Sequence, residues 1–236
     1  MHMRPKSWAR TETVSNPAVE GQPEERKNNW RSLYVPGRPF YVELGCGKGI
    51  SAARMALDNP EINYLLVDVS PDMIGISCRN LMEAGGGRVP ENVRLTRYDI
   101  TYIGKILGAE DQADRIYINF CNPWTEREKH HKRRLTHPRQ LEQYRTFLRP
   151  QGEIWFKTDD DALFRDSLYY FSLCGFREVY RTEDLHGSGF APNYISEHEE
   201  KYTALGVSIK FGIFRMEERE GTFDATRWRM GRNGEK

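Results

Sequence analysis

The sequence has few cysteines, no long apolar run and almost no net charge. Its 236 residues include four cysteines, which lie far apart and never form a C-x-x-C pair. That spacing is atypical of zinc sites and disulfide frameworks, so we expect reduced cysteines in a cytoplasmic protein that binds no metal. No stretch reaches the about 20 apolar residues of a membrane helix, and no apolar segment of a signal peptide follows Met1. We therefore expect a soluble, unexported protein without a membrane partner.

Charge is balanced overall and concentrated locally. The 35 basic and 34 acidic residues give a net charge of +1, which argues against general coating of nucleic acid and for docking an anion at one place. The absence of internal repeats and of a central linker predicts a single domain over residues 39–216. Residues 1–38 read as a basic and aromatic arm, partly disordered alone, in which Trp8 among cations could order over RNA. Residues 217–236 read as a charged tail, and the sequence is compatible with a monomer or a homodimer.

Apolar runs of strand length alternate with amphipathic segments of helix length. The strands are predicted at 40–44, 64–69, 93–98, 115–120, 153–158, 177–182 and 207–215. The helices are predicted at 50–59, 70–84, 101–108, 136–148 and 162–174, with a short one near 196–205. This alternation predicts an α/β fold with a doubly wound, mostly parallel, seven-stranded sheet of the Rossmann-like type, which places ligands at the carboxyl ends of its strands.

A glycine-rich turn follows the first predicted strand and opens a helix. Gly45, Gly47 and Gly49 allow a sharp turn and close approach of a ligand, although such a turn is also found in tight β-to-α connections. Glu43, just ahead of the glycines, would repel a pyrophosphate and attract a cationic amino-acid group. The ligand we expect is therefore S-adenosylmethionine.

Two further acids follow the next two strands. Asp68 lies about as far past the glycine turn as the acid that binds ribose hydroxyls in nucleotide-binding folds. Asp99 could accept a hydrogen bond from an adenine amino group. A helix-capping role is the structural alternative, but acids at three successive strand ends favour a cofactor site.

The fourth strand runs into Asn122-Pro123-Trp124. Proline disfavours helix in the residue before it, so Asn122 is predicted to be extended, with its amide facing the crevice and a base-stacking surface beside it. A dense basic segment follows, with Arg127, Lys129, Lys132, Arg133 and Arg134. This segment suits contact with a phosphate backbone. Taken singly, however, Asn122-Pro123 would be explained as an ordinary turn and the basic segment as a solvated helix face.

The fifth strand delivers three consecutive acids to the same edge. Asp160 and Asp161 are expected to cap the next helix, which leaves Asp159 to face a ligand.

These motifs resemble class I methyltransferases and, in particular, the bacterial tRNA (guanine-N7)-methyltransferase family. The resemblance covers nearly the whole chain, through Trp8, the glycine turn, H-K-R-R-L at 131–135, F-K-T-D at 156–159 and S-E-H-E-E-K-Y at 196–202. It implies transfer of a methyl group from S-adenosylmethionine to N7 of the guanosine at position forty-six, in the variable loop of tRNA.

The resemblance also implies roles for individual residues. The cofactor would be held by Glu43, Gly45, Gly47, Gly49, Asp68, Asp99 and Asn122, of which Asn122 is also the catalytic candidate. The target guanosine would be held by Asp159, Ser196, Glu197, His198 and Glu199, and tRNA by the basic segment.

Three positions depart from the pattern of the family. Asn122 stands where the family usually has Asp, and Thr-Glu with one extra residue follows where the family has Pro and Lys. Ser-Glu-His-Glu replaces the common Thr-Glu-Tyr-Glu. Arg127 falls where the substrate-contacting lysine of the family would lie, and Lys129 is the alternative.

Two other functions compete with this interpretation. Asn-Pro-Trp also resembles the Asn-Pro-Pro-aromatic motif of amino methyltransferases, but Asp159, Glu197 and Glu199 favour guanosine, whose N1–H and 2-amino group need acceptors. A tRNA-binding protein that lost catalysis at Asn122 is the other alternative. A pure binder would not need the acids of a cofactor pocket.

Overall fold

The computed structural model describes residues 6–219 and 221. Its strands are β1 (Val19–Glu20), β2 (Phe40–Leu44), β3 (Asn63–Asp68), β4 (Val93–Arg97), β5 (Ala113–Asn119), β6 (Leu148–Thr158), β7 (Phe176–Thr182) and β8 (Lys210–Met216). Its α-helices are α1 (Ser7–Ser15), α2 (Ile50–Asp58), α3 (Pro71–Ala84), α4 (Pro138–Phe147), α5 (Asp161–Leu173) and α6 (Glu197–Ala204). Short 3₁₀ segments span Pro23–Arg26, Trp30–Leu33, Ile100–Lys105 and Glu128–Arg133.

All the strands belong to one sheet in the order β1-β4-β3-β2-β5-β6-β8-β7. Pairing is parallel from β1 to β6, and β8 is antiparallel to both β6 and β7. The predicted α/β, mostly parallel sheet is confirmed. Because β2 to β6 run in one direction, their carboxyl ends meet at one edge of the sheet.

Alternate residues of the central strands enter two separate cores. In β3, Leu65 and Val67 pack in a core that includes side chains of α4 and α5, whereas Tyr64 and Leu66 pack with α2 and α3. Successive strand side chains point to opposite faces, so these two cores lie on opposite faces of the sheet. The sheet is therefore doubly wound, as the sequence predicts.

The predicted number of seven strands is wrong, since the sheet has an eighth. Strand β1 adds to its edge through parallel pairing of Val19 with Leu95 and of Glu20 with Thr96. The Thr96 hydroxyl also donates to the Glu20 carbonyl oxygen at 2.9 Å. Two residues are too few to show a period-two pattern, so this strand could not be predicted from sequence.

Residues expected to form a partly disordered arm pack against the domain. Helix α1 lies on α3, where Ala9 is fully buried against Gly75. Trp8 lies with its ring 3.4 Å from the Arg79 guanidinium, and the buried Trp30 donates its indole N–H to the Ile106 carbonyl oxygen at 2.7 Å. Single aromatic anchors of this kind have no periodicity by which a sequence could reveal them.

Other differences lie at the ends of elements and of the chain. Strand β6 begins at Leu148, five residues before the predicted start, and the helix predicted at 101–108 is a 3₁₀ segment. Apart from residues 217–219 and 221, the predicted tail lies outside the described residues, as do residues 1–5 of the predicted arm. Among the described helices, none combines the length and apolar character needed to cross a membrane.

The contact between α1 and α3 gives a test of the arm. A Cβ at Gly75 would lie 1.9 Å from the Ala9 carbonyl oxygen, so Gly75→Ala should destabilise the protein by about 1 to 3 kcal/mol through overpacking. Urea unfolding measures the change, with Gly21→Ala as the control because nothing lies within 4 Å of a Cβ there. A Gly75→Ala protein as stable as the wild type would contradict the docking of α1.

Candidate active site

Two clefts open at the carboxyl edge of the sheet and meet at three residues. The larger, of about 1330 Å³, is bordered by Asp68, Asp99, Asn122, Trp124, Lys132 and Arg133, among others. The smaller, of about 360 Å³, is bordered by Glu43, Gly47, Gly49, Ser196, Glu197 and His198, among others. Gly45, Asn119 and Phe120 border both. The structure thus brings most of the predicted site residues to one place.

The turn between β2 and α2 requires glycine at two positions for different reasons. Gly47 has a φ of 54°, in the left-handed region that glycine adopts without strain, and its N–H donates to Asp68 at 3.0 Å. Gly49 has a φ of 69°, and a Cβ there would lie 2.0 Å from the Ser77 hydroxyl oxygen. The turn is therefore fixed by Asp68 on one side and by α3 on the other.

Asp68 and Asp99 both have structural partners as well as a place in the large cleft. The second carboxylate oxygen of Asp68 accepts from the Ser70 N–H at 2.9 Å, and burial raises the pKa of Asp68. Asp99 is exposed and caps the following 3₁₀ segment through the Thr101 N–H at 2.9 Å. The capping alternative is thus true of Asp99, but capping occupies only one of its carboxylate oxygens.

Glu43 is a deeply buried acid of the small cleft, at 3 % exposure. Its Oε1 accepts from the Asn119 amide at 2.9 Å, whereas its Oε2 has no hydrogen-bond partner among the described residues. Burial raises the pKa of Glu43 to about 7, against the Asn119 hydrogen bond and the charge of Lys157. A buried carboxyl with an unpaired oxygen fits a cationic ligand better than a purely structural role.

The loop after β5 is held in a strained conformation. Phe120 and Trp124 have φ values of 52° and 49°, which cost non-glycine residues about 1 to 3 kcal/mol each. Between them, the Asn122 Oδ1 accepts from the Trp124 N–H at 3.0 Å. The Asn122 amide, predicted to face the crevice, therefore uses its oxygen in an internal turn. Its Nδ2 remains to donate to a ligand.

The basic segment divides into cations at the cleft and cations away from it. Lys132 and Arg133 border the large cleft, and the Arg133 guanidinium lies 5.0 Å from the Trp124 ring centroid. Arg127 and Lys129 are exposed and lie outside the wall of the clefts formed by the described residues. The structure therefore does not choose between Arg127 and Lys129 as the substrate-contacting cation.

Arg134 corrects the prediction that all five cations contact phosphate. It is only 1 % exposed, donates to the Pro123 carbonyl oxygen at 2.7 Å and pairs with Asp166 on α5. A buried guanidinium with both partners inside the protein cannot reach an RNA backbone. Arg134 instead fixes the loop at Pro123 to α5.

Helix α6 and Ser196, just before it, form part of the wall of the small cleft. His198 Nε2 lies 3.2 Å from Asp159 Oδ1, and this hydrogen bond lowers the pKa of Asp159. The His198 ring lies between Phe120 and Tyr202, with centroids 4.7 and 4.4 Å away. The predicted guanosine residues Asp159 and His198 are thus brought together beside the strained loop.

Glu199 is a second correction, because it is fully buried. It accepts from Lys157 at 3.1 Å and from the Asn193 amide at 2.8 Å, which leaves it no contact with a substrate base. Its function here is to anchor α6 to β6. Ser196 caps the same helix through the Glu199 N–H at 3.1 Å, while the exposed Glu197 pairs with Lys48 of the glycine turn at 2.5 Å.

Sequence reasoning missed Asn119, Lys157 and Lys48. Asn119 ends β5 and borders both clefts, and a polar residue directly after the apolar run 116–118 was the signal that could have identified it. Lys157 pairs with Asn119 in the sheet register, and burial lowers its pKa. Neither lysine could be identified from the local sequence, because each is positioned by an ion pair with a glutamate of α6. Within residues 6–219 and 221, no group of three or more His, Cys, Asp or Glu side chains could hold a metal ion.

Comparison with known proteins identifies the relatives of this chain. The family model described as "Putative methyltransferase" matches residues 37–211. A tRNA (guanine-N(7)-)-methyltransferase of Clostridium beijerinckii is 48% identical over 215 residues, covering 90% of this chain and 98% of that protein. One of Desulfitobacterium hafniense is 45% identical over 216 residues, covering 92% and 99%.

Solved structures support the fold. The crystal structure of the 16S rRNA methyltransferase KamB superposes with a TM-score of 0.56 at 13% identity, covering 80% of this chain and 91% of that one. At that identity the likeness concerns the fold alone.

The position of Arg134 predicts a loss of stability on its removal. Arg134→Ala would leave Asp166 without its partner and free the Pro123 loop, so it should lower the free energy of unfolding by about 3 kcal/mol, the lower end for buried pairs because Asp166 is partly exposed. Urea unfolding compares it with Arg133→Ala, which should be near wild type. Equal stabilities of the two variants would show that Arg134 is not anchored as described.

Proposed function

Because this chain belongs to the tRNA (guanine-N(7)-)-methyltransferase family, we propose that it transfers a methyl group from S-adenosylmethionine to N7 of a tRNA guanosine. The proposed target is position forty-six of the variable loop. The observation that carries this proposal is the meeting of an acidic, glycine-lined cleft with a cleft bordered by Trp124, Lys132 and Arg133. Since tRNA is the substrate, we propose that the protein acts in the cytoplasm.

The residues at the strand ends fit the cofactor. When bound, S-adenosylmethionine supplies an electrophilic methyl group on a positively charged sulfur. Glu43 offers negative charge to the amino-acid end, and Asp68 retains acceptor capacity for ribose hydroxyls beyond its two backbone N–H bonds. Asp99 borders the same cleft as Asp68, which suits the adenine end.

The chemistry at guanine N7 needs positioning and no general base. N7 carries a lone pair and no proton, so no side chain has to remove one. Alignment of two bound reactants contributes about 7 to 11 kcal/mol to such reactions. We propose that Asn122, held by its turn to Trp124, positions the reactants through its Nδ2. It lacks the charge that an aspartate would place near the forming guanine cation.

The target base is proposed to bind in the small cleft, which Phe120 and His198 of α6 border. Asp159 can accept from guanine N1–H and the 2-amino group, and its low pKa keeps it ionised at neutral pH. Glu197 offers an exposed carboxylate at the small cleft. Trp124 and Arg133 then serve the neighbouring nucleotides by stacking and by phosphate contact.

The direct experiment is nucleoside analysis of unmethylated tRNA after incubation with the protein and methyl-labelled S-adenosylmethionine. The expected product is 7-methylguanosine at one position. Label on an exocyclic amine would support an amino methyltransferase instead. Binding of tRNA without any label would support a binder derived from an enzyme.

Contact of Lys132 and Arg133 with phosphates predicts salt-dependent binding. Replacing both by Ala should weaken tRNA binding and make the slope of log affinity against log salt less negative by about 1.4 to 1.8, since about 0.7 to 0.9 counterions are released per contact. Filter binding at several salt concentrations measures the slope. Arg177→Ala with Arg181→Ala, on the edge strand β7, removes two exposed cations as a control. If both double variants had the same slope, Lys132 and Arg133 would be solvated side chains that make no phosphate contact.

Asn122 predicts a change in the methyl-transfer step. Asn122→Asp should retain activity, because the reaction needs no base and the added charge lies near the forming cation. Asn122→Ala should slow single-turnover transfer about tenfold, which corresponds to about 1.4 kcal/mol. Rates at saturating tRNA separate this step from binding. An Ala variant as fast as the wild type would reduce Asn122 to a turn residue.

A further inference from the structure

Glu43 and Asn119 form a buried pair that lacks one hydrogen-bond donor. Their contact uses Glu43 Oε1 and Asn119 Nδ2, at 2.9 Å. The other two polar atoms, Glu43 Oε2 and Asn119 Oδ1, are both buried without a partner among the described residues. If Glu43 were ionised, both atoms would be acceptors facing no donor, which is the costly arrangement for buried polar groups.

One proton supplies the missing donor. A protonated carboxyl is a donor as well as an acceptor, and a carboxylic acid and a primary amide can form two hydrogen bonds with each other. With a proton on Oε2, Glu43 would accept from the amide and donate to its oxygen. Both orphan atoms would then be satisfied within the pair.

We propose that Glu43 and Asn119 hold one proton between them in the free protein and release it when the positively charged cofactor binds. The inference rests on the proposed function, because it assumes that S-adenosylmethionine enters the cleft that both residues border. Only the O–H bond of Glu43 breaks, and the proton goes to the solvent. Asn119 is thereby a positioning residue, which the sequence did not indicate.

The charges around Glu43 favour this exchange. Lys157 of β6 provides positive charge, while Asp68 of β3 acts against ionisation, as burial does more strongly. Cys46 and Tyr117 also face Glu43, and burial raises the pKa of both, so both stay neutral near pH 7. With the pKa of Glu43 raised to about 7, the free protein holds the proton just below neutrality. A cationic ligand in the cleft favours the carboxylate.

The exchange makes cofactor affinity depend on pH with a defined sign. Glu43 has a higher pKa in the free protein than in the complex, so binding releases a proton. Affinity is then full above about pH 7 and falls by up to tenfold for each pH unit below it. A neutral ligand of the same cleft has no such dependence.

Titration calorimetry at about pH 6, in two buffers of different ionisation enthalpy, counts the released protons directly. The probes are S-adenosylmethionine and 5′-methylthioadenosine, which carries neither the sulfonium nor the amino-acid charge. We expect close to one proton released with the first and none with the second. No release with S-adenosylmethionine, or equal release with both, would overturn the proposal.

Glu43→Gln provides a permanent mimic of the protonated carboxyl, since its amide can donate to Asn119 Oδ1. It should bind 5′-methylthioadenosine like the wild type, which shows an intact cleft. It should bind S-adenosylmethionine at least about tenfold more weakly than the wild type above about pH 7, with a difference that shrinks as the pH falls. Wild-type pH dependence in Glu43→Gln would contradict the proposal. Failure of the wild type to bind either nucleoside would instead remove the proposed function.

Discussion

The site depends on the parallel pairing of β2 between β3 and β5. In that register Glu43 lies opposite Leu66 on one side and Tyr117 on the other, and Asn119 lies opposite Lys157 of β6. The glutamate, the amide and the lysine therefore lie on the same face of the sheet, with Glu43 two residues before the level of Asn119 and Lys157. Because side chains alternate between faces, a slip of one residue in β2 would turn Glu43 away from Asn119. Strand pairing thus sets the electrostatics of the small cleft.

Several charged side chains at this edge hold neighbouring segments in place. The residues that we propose to bind ligands are different ones. Arg134 ties the loop at Pro123 to α5, and Lys157 ties α6 to β6 through Glu199. The Lys157–Glu199 pair is buried and the Arg134–Asp166 pair is buried on the arginine side, and breaking a buried pair costs far more than breaking an exposed one. Arg133 and Asp159, which we propose to bind ligands, lie next to this framework.

The sequence predicted the helices, strands and strand-end residues well. It predicted poorly which individual charged side chains are buried and which are exposed. Strand β2 was placed to the residue, because an apolar run bounded by a glycine turn defines it locally. Arg133 and Arg134 are adjacent and chemically identical, yet only one is buried, because its partner Asp166 is supplied by α5. Glu199 likewise depends on Lys157, far away in the chain. Such pairings are set by tertiary structure, which no local pattern encodes.

In the proposed reaction the guanine itself supplies the electron pair through N7. This can be tested by the single-turnover rate with a tRNA that carries 7-deazaguanosine at position forty-six, in which a C–H group replaces N7. We expect unchanged tRNA and cofactor binding with no methyl transfer to that tRNA. Methyl transfer at the rate of the unmodified tRNA would contradict it, because the acceptor would then be another atom.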